Sequence, residues 1–267
     1  MVAGIHLKKV DMPMIRFNEI LKCGWVCPHV RVLCSLTVVA LLVAVAGADP
    51  FYLRYDPNET FPEQEGWSRS VHGPSSLIQR SIENGVFRLD TRASAEISDF
   101  YYIVDPAMNP MDGEMLRVAW RMRTLETESS WYDTDVSLQI RNAVPDEYVQ
   151  FFFASDCIME VGNGEPWSPQ HLYEIIPGEF HDYVFISSDM DTYDLYVDGA
   201  AVFQGAFLPG SWFPGPAVTW GDSIRGLTSL SEWDYVEISI LPEPSNLLIF
   251  TLIATYRMRC NERRIGS

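Results

Sequence analysis

From residue 81 to residue 240, apolar and polar positions alternate with a period of two between turn-forming pairs, and no stretch there holds the ~3.6-residue period of an amphipathic helix. Ser81–Asp90 reads as a hairpin around Asn84-Gly85, a pair suited to the positive φ of a two-residue type I′ turn. Leu116, Val118, Trp120 and Met122 alternate with Arg117, Arg121 and Arg123, which turns an apolar face inward and a guanidinium row outward. The same rule places Val136, Leu138 and Ile140 inside. Phe100–Val104 and Tyr148–Ala154 are denser apolar runs, expected of strands covered on both faces. Tyr193–Val197 runs into Asp198-Gly199 and returns as Ala201–Phe203; Trp233–Ile240 makes a last long strand. About a dozen short strands without a helix predict an all-β fold, a two-sheet antiparallel jelly-roll sandwich occupying residues 49–241 as one domain.

The two ends break this pattern. Lys8, Lys9, Arg16, Lys22 and Arg31 precede the uncharged stretch Val32–Ala46, and Ala46-Gly47-Ala48 supplies small residues for cleavage, so residues 1–48 read as a signal peptide cut after Ala48. At the other end, Pro242-Glu243-Pro244 stops a strand arriving at Leu241. The apolar run Leu247–Tyr256 follows, then Arg257, Arg259, Arg263 and Arg264, which the positive-inside rule keeps in the cytoplasm. Ten residues at ~1.5 Å rise give only ~15 Å of helix against ~30 Å of hydrocarbon, so the tail reads as a short, marginal transmembrane helix. This order over residues 242–267 closely resembles the PEP-CTERM sorting signal of Gram-negative surface proteins. The resemblance implies export with signal peptidase, a pause in the inner membrane, cleavage by an exosortase near the Pro-Glu-Pro, and final residence at the cell surface or in the extracellular matrix.

Charge sharpens the division. Residues 49–241 carry ten arginines, no lysine and 32 acidic residues, a net charge of −22 within a chain of −17 overall. Nucleic acid and anionic surfaces are repelled by such a field, whereas cations and neutral glycans are not. Cys23, Cys27, Cys34 and Cys260 lie in the terminal segments, so Cys157 is alone in the middle and stability there must come from a core.

His181–Ile186, followed by Tyr193–Val197 and Asp198-Gly199, is similar to the Y-x-L-Y-V-D-G hairpin of laminin-G-like and concanavalin-A-like jelly rolls, and Glu232–Val236 is similar to their closing strand. That resemblance implies a fold that hosts lectins, adhesion modules and hydrolases alike. Glu232, Asp234 and Glu237 match the E-x-D-x-x-E spacing of laminarinase-like glycoside hydrolases, in which a nucleophile and an acid/base carboxylate stand ~5–5.5 Å apart. One bulge would set all three on one face; without it Glu237 points the other way. Trp233, where that family has a small aliphatic residue, and the terminal position of the motif favour a closing strand with solvated acids. Asp189, Asp191 and Asp194 offer hard oxygen ligands for Ca²⁺, although turns use the same residues as caps, and no cofactor is otherwise indicated. Trp67, Trp131, Trp167 and Trp212 sit beside Gly, Pro, Ser or acidic residues, where indole rings can stand exposed as a sugar platform. The leading expectation is a non-enzymatic surface module that contacts extracellular polysaccharide; the alternative is a secreted glycoside hydrolase using Glu232, Asp234 and Glu237.

Overall fold

A computed structural model of the chain describes residues 52–127, 136–142, 146–161, 169–210, 215–223 and 227–243. In chain order its strands are β1 (Tyr52–Tyr55), β2 (Ser68–His72), β3 (Gln79–Glu83), β4 (Val86–Asp90), β5 (Ser98–Val104), β6 (Glu114–Thr127), β7 (Val136–Asn142) and β8 (Glu147–Phe153). There follow β9 (Cys157–Val161), β10 (Pro169–Glu174), β11 (His181–Ser187), β12 (Thr192–Val197), β13 (Ala200–Ala206), β14 (Leu208–Pro209), β15 (Ala217–Asp222) and β16 (Ser229–Pro242). Among the described residues the only helices are short 3₁₀ turns, and none is long and apolar enough to cross a membrane. The cleavage residues Ala46 and Ala48, Pro244, the apolar run and Arg257, Arg259, Arg263 and Arg264 lie outside the described residues.

The strands form two eight-stranded sheets. Sheet A runs β13-β12-β11-β6-β16-β4-β3, with β1 also on β16; sheet B runs β10-β9-β8-β7-β15-β5-β2, with β14 on β8. Every pairing is antiparallel. Asn84 and Gly85 take φ of 56° and 76°, and Asp198 and Gly199 take 50° and 80°, so both anticipated hairpins turn through left-handed pairs. Asp198 also accepts the Asp182 N–H at 2.9 Å, which pins the second turn to β11.

Alternation explains the core. Leu116, Val118, Trp120 and Met122 from sheet A meet Val136, Leu138 and Ile140 from sheet B, all buried in one cluster. Trp220 of β15 stands at its centre, with Tyr101 and Trp233 each 4.8 Å away between ring centroids and Tyr55 and Trp67 each at 5.6 Å. A second aromatic group joins Trp120 to Tyr183, stacked at 5.2 Å, and to Phe153.

Two expectations change in detail. Phe100–Val104 is covered on both faces only in its first half, and Val104 is 43% exposed, because β2 pairs residues 98–102 and leaves the end of β5 with a neighbour on one side. The last strand does not stop at Leu241: Pro242 is still in register with Glu114, and the Glu243 N–H donates to the Gly113 carbonyl at 2.9 Å. A proline is tolerated there because it is the terminal residue of the ladder.

Candidate functional site

The three carboxylates of the closing strand are brought to one face. β16 carries a bulge between Trp233 and Tyr235, so Glu232 lies opposite Arg123 while Tyr235 lies opposite Arg121. Trp233, Val236 and Ile238 remain fully buried, and Glu232, Asp234 and Glu237 share the outer face of sheet A. Arginines from the neighbouring strands meet them there. Glu232 accepts from Arg123 at 2.8 Å and faces Arg88 at 3.6 Å; Asp234 accepts from Arg121 at 3.2 Å. Glu237 accepts from Arg117 through one oxygen and from Arg54 at 3.0 Å and Tyr52 at 3.3 Å through the other. Both oxygens of each glutamate are engaged, and together the contacts form a cross-strand ion-pair ladder.

A concave site lies at one end of the same outer face. It is a cleft of about 580 Å³ lined by Ile186 and Ser187 of β11, Ser188, Thr192 and Asp194 around β12, Gln204 and Gly205 of β13, Met115 of β6 and Glu243. Its central polar pair is Asp194 and Gln204, whose carboxamide donates to the carboxylate at 2.6 Å. A regular two-residue hairpin would set Asp194 opposite Phe203; instead the register shifts after Leu195, which pairs with Phe203, and Tyr196 pairs with Ala201. Val202 is thus the extra residue, Phe203 turns into the core, and Gln204 comes beside Asp194.

The wall of the cleft is a turn built on Asp189. Its carboxylate accepts the N–H groups of Asp191 at 2.9 Å and Thr192 at 2.8 Å, and the Thr192 hydroxyl at 2.9 Å. Partial burial alone would raise this carboxyl, but those donors hold it below the usual aspartate range. Met190 takes φ of 58°, with its N–H donating to the Ser187 hydroxyl at 2.9 Å. Asp189→Ala is expected to cost about 1 kcal/mol or less at neutral pH, because these exposed donors exchange the carboxylate for water. Because the folded carboxyl is depressed, the contribution is present above the unfolded pKa and fades as pH falls through the folded value; urea unfolding of both proteins at neutral and acid pH checks both the size and the fading.

These contacts correct two expectations. Asp189, Asp191 and Asp194 do not converge on a cation: Asp189 is spent on its own turn, Asp194 on Gln204, and no group of three or more His, Cys, Asp or Glu among the described residues is placed to hold a metal. Trp67 offers no free ring, being 2% exposed and edge-on to Trp220, because the turn Pro62–Glu65 folds it into the core instead of lifting it out. Trp131, Trp167 and Trp212 lie outside the described residues. The cleft residues Ser187, Thr192, Gln204 and Glu243 carry no motif, and only the Asp-x-x-Thr spacing of the turn marks the neighbourhood in sequence.

No family model matches the chain, and no curated protein matches it. Among solved structures it is similar to a carbohydrate esterase from the Shiga toxin-encoding bacteriophage phi24B, at 14% identity and a TM-score of 0.53, covering 71% of this chain and 97% of that one. A protein of unknown function from Shewanella oneidensis MR-1 gives 14% identity and a TM-score of 0.45 over 72% of this chain and 87% of that one. The carbohydrate recognition domain of Emp46p gives 8% and 0.41 over 69% and 92%. The class these strands define is an all-β, two-sheet antiparallel sandwich of the jelly-roll kind.

Proposed function

We propose that the chain is an exported surface or matrix module that binds extracellular polysaccharide in the cleft between β11 and β13 without turning it over. The observation that carries this reading is the Asp194–Gln204 pair at 2.6 Å inside a cleft of about 580 Å³. A carboxylate beside a carboxamide keeps acceptor and donor positions for adjacent sugar hydroxyls, while Ile186 and Met115 give the C–H face of a ring an apolar wall. The name of one similar structure, a carbohydrate esterase, is directed at the same class of molecule. Purified protein screened on a glycan panel should bind at least one neutral polysaccharide, and Asp194→Ala should weaken it about tenfold or more, the size of one or two hydrogen bonds to a charged group. Absence of binding across the panel, or wild-type binding by Asp194→Ala, would sink the reading.

Hydrolysis is the second reading, favoured by the bulge that sets Glu232, Asp234 and Glu237 on one face. Against it stand the arginines that occupy both glutamates. Glu232→Gln and Glu237→Gln are expected to leave glycan binding within about twofold of wild type and to remove no reducing-sugar release. A β-glucan cleaved by wild type and spared by either variant would establish the enzyme instead.

Export and sorting rest on the patterns of residues 1–48 and 242–267. Intact masses from hosts with and without an exosortase should differ, with the arginine-containing end lost only in the first. Wild type that keeps Ile265–Ser267 in both hosts would make the tail a plain anchor.

A further inference from the structure

Hydrogen-bond polarity in the cleft is one-sided. Asp194 is half-buried, and among the described residues its carboxylate meets no cation: Oδ1 accepts from the neutral Gln204 carboxamide at 2.6 Å. A carboxamide beside a carboxylate turns its NH2 toward it, so Gln204 keeps its carbonyl oxygen as an acceptor. Thr192 donates its hydroxyl hydrogen to Asp189 at 2.9 Å and likewise keeps its lone pairs. Glu243 adds a second carboxylate to the lining, and no lysine, arginine or histidine stands there among the described residues. Positive charge is committed elsewhere. Residues 49–241 contain no lysine, and every arginine among the described residues is in an ion pair with a carboxylate outside the cleft.

We propose that the polysaccharide taken by the cleft carries ammonium groups, as a polymer of unacetylated amino sugar does; this rests on the reading that the cleft binds polysaccharide. An ammonium has three N–H donors and no lone pair, so it suits a site whose polar atoms are mostly acceptors, whereas a hydroxyl brings a single donor. Its charge also offsets that of Asp194, which a hydroxyl cannot do. The rest of the cleft selects against simpler cations. Met115 and Ile186 offer an apolar wall that a bare metal ion cannot use, and no group of three or more His, Cys, Asp or Glu among the described residues is placed to hold one. At longer range the net charge of −22 on residues 49–241 draws a polycation in and repels polymers of uronic acid.

The test compares β-linked oligomers of glucosamine, N-acetylglucosamine and glucose of equal length, by calorimetry on the full chain in mild detergent at about pH 6, below the α-amino range in which such amines titrate. The three share a ring and differ at one position. At low salt the glucosamine oligomer should bind at least about tenfold more tightly than either neutral one, and the margin should shrink to about threefold or less at about 1 M salt, where the screening length is about 3 Å. Asp194→Asn, which removes the charge and keeps the shape, should bring the glucosamine oligomer level with the glucose oligomer. An oligolysine of equal charge should bind at least about tenfold more weakly than the glucosamine oligomer, having no ring face to set against Met115 and Ile186. A glucosamine oligomer that binds no better than the neutral ones overturns the assignment alone, whereas silence across the whole glycan panel sinks the cleft reading with it. A preference that survives Asp194→Asn, or an oligolysine that binds equally well, would also overturn the assignment.

Discussion

Trp220→Ala is expected to cost about 4 kcal/mol, within the range for emptying a fully buried aromatic site. The indole is fully buried and touches rings from both sheets: Tyr55, Phe87 and Trp233 from A, and Tyr101 from B. No neighbour can collapse into the space without leaving another, so the cavity persists. Measured against a typical domain stability of about 5–15 kcal/mol, this is a large fraction, and it corresponds to a fall of roughly 10 °C in the melting temperature of a domain this size. Urea titration with unchanged slope checks it. A loss below about 1 kcal/mol would mean that Trp220 is not the keystone of the packing.

Arg69→Met should cost about as much for a different reason. Asp99 is fully buried and is held by the Arg69 guanidinium in two bonds of 2.7 Å, Nε to one oxygen and a terminal nitrogen to the other. Removing one partner of a buried pair leaves the other charge uncompensated, typically about 3–5 kcal/mol. Burial already pushes the Asp99 carboxyl up, with Arg69 opposing that rise. The sign of the pH dependence follows. A carboxyl whose folded pKa exceeds its unfolded value loses stability as pH rises between the two, and without Arg69 that window widens upward. The deficit of Arg69→Met relative to wild type should therefore be greatest near pH 7 and shrink toward about pH 4, where a proton neutralises the orphaned carboxylate. A deficit that stays constant or grows in acid would contradict this account, as would a cost below about 1 kcal/mol.

The strands were legible in the sequence because period-two alternation is a direct consequence of a sheet with one face on a core. Leu116 to Met122 and the Asn84-Gly85 and Asp198-Gly199 turns read through to structure unchanged. What the pattern left unspecified was register, and in two places register decides the site. The extra residue at Val202 turns Phe203 inward and aligns Gln204 with Asp194, and the bulge beyond Trp233 gathers Glu232, Asp234 and Glu237 on one face. A bulge is selected by packing on both strands at once, so neither segment announces it alone. Trp67 illustrates a second limit: polar neighbours in sequence suggested exposure, while the turn before it buries the ring against Trp220. The arginine row of β6 was visible as a row, but its pairing with the acids of β16 depended on which strands became neighbours, a long-range choice.

Binding in the cleft is tested most directly by hydrogen exchange of the protein with and without a polysaccharide from the panel. The account predicts slowed exchange confined to residues 186–194 and 203–205, with the polymer recovered intact. Slowing on the outer face at residues 232–237 instead, together with shortened polymer, would contradict it and move the function to the carboxylates of the closing strand.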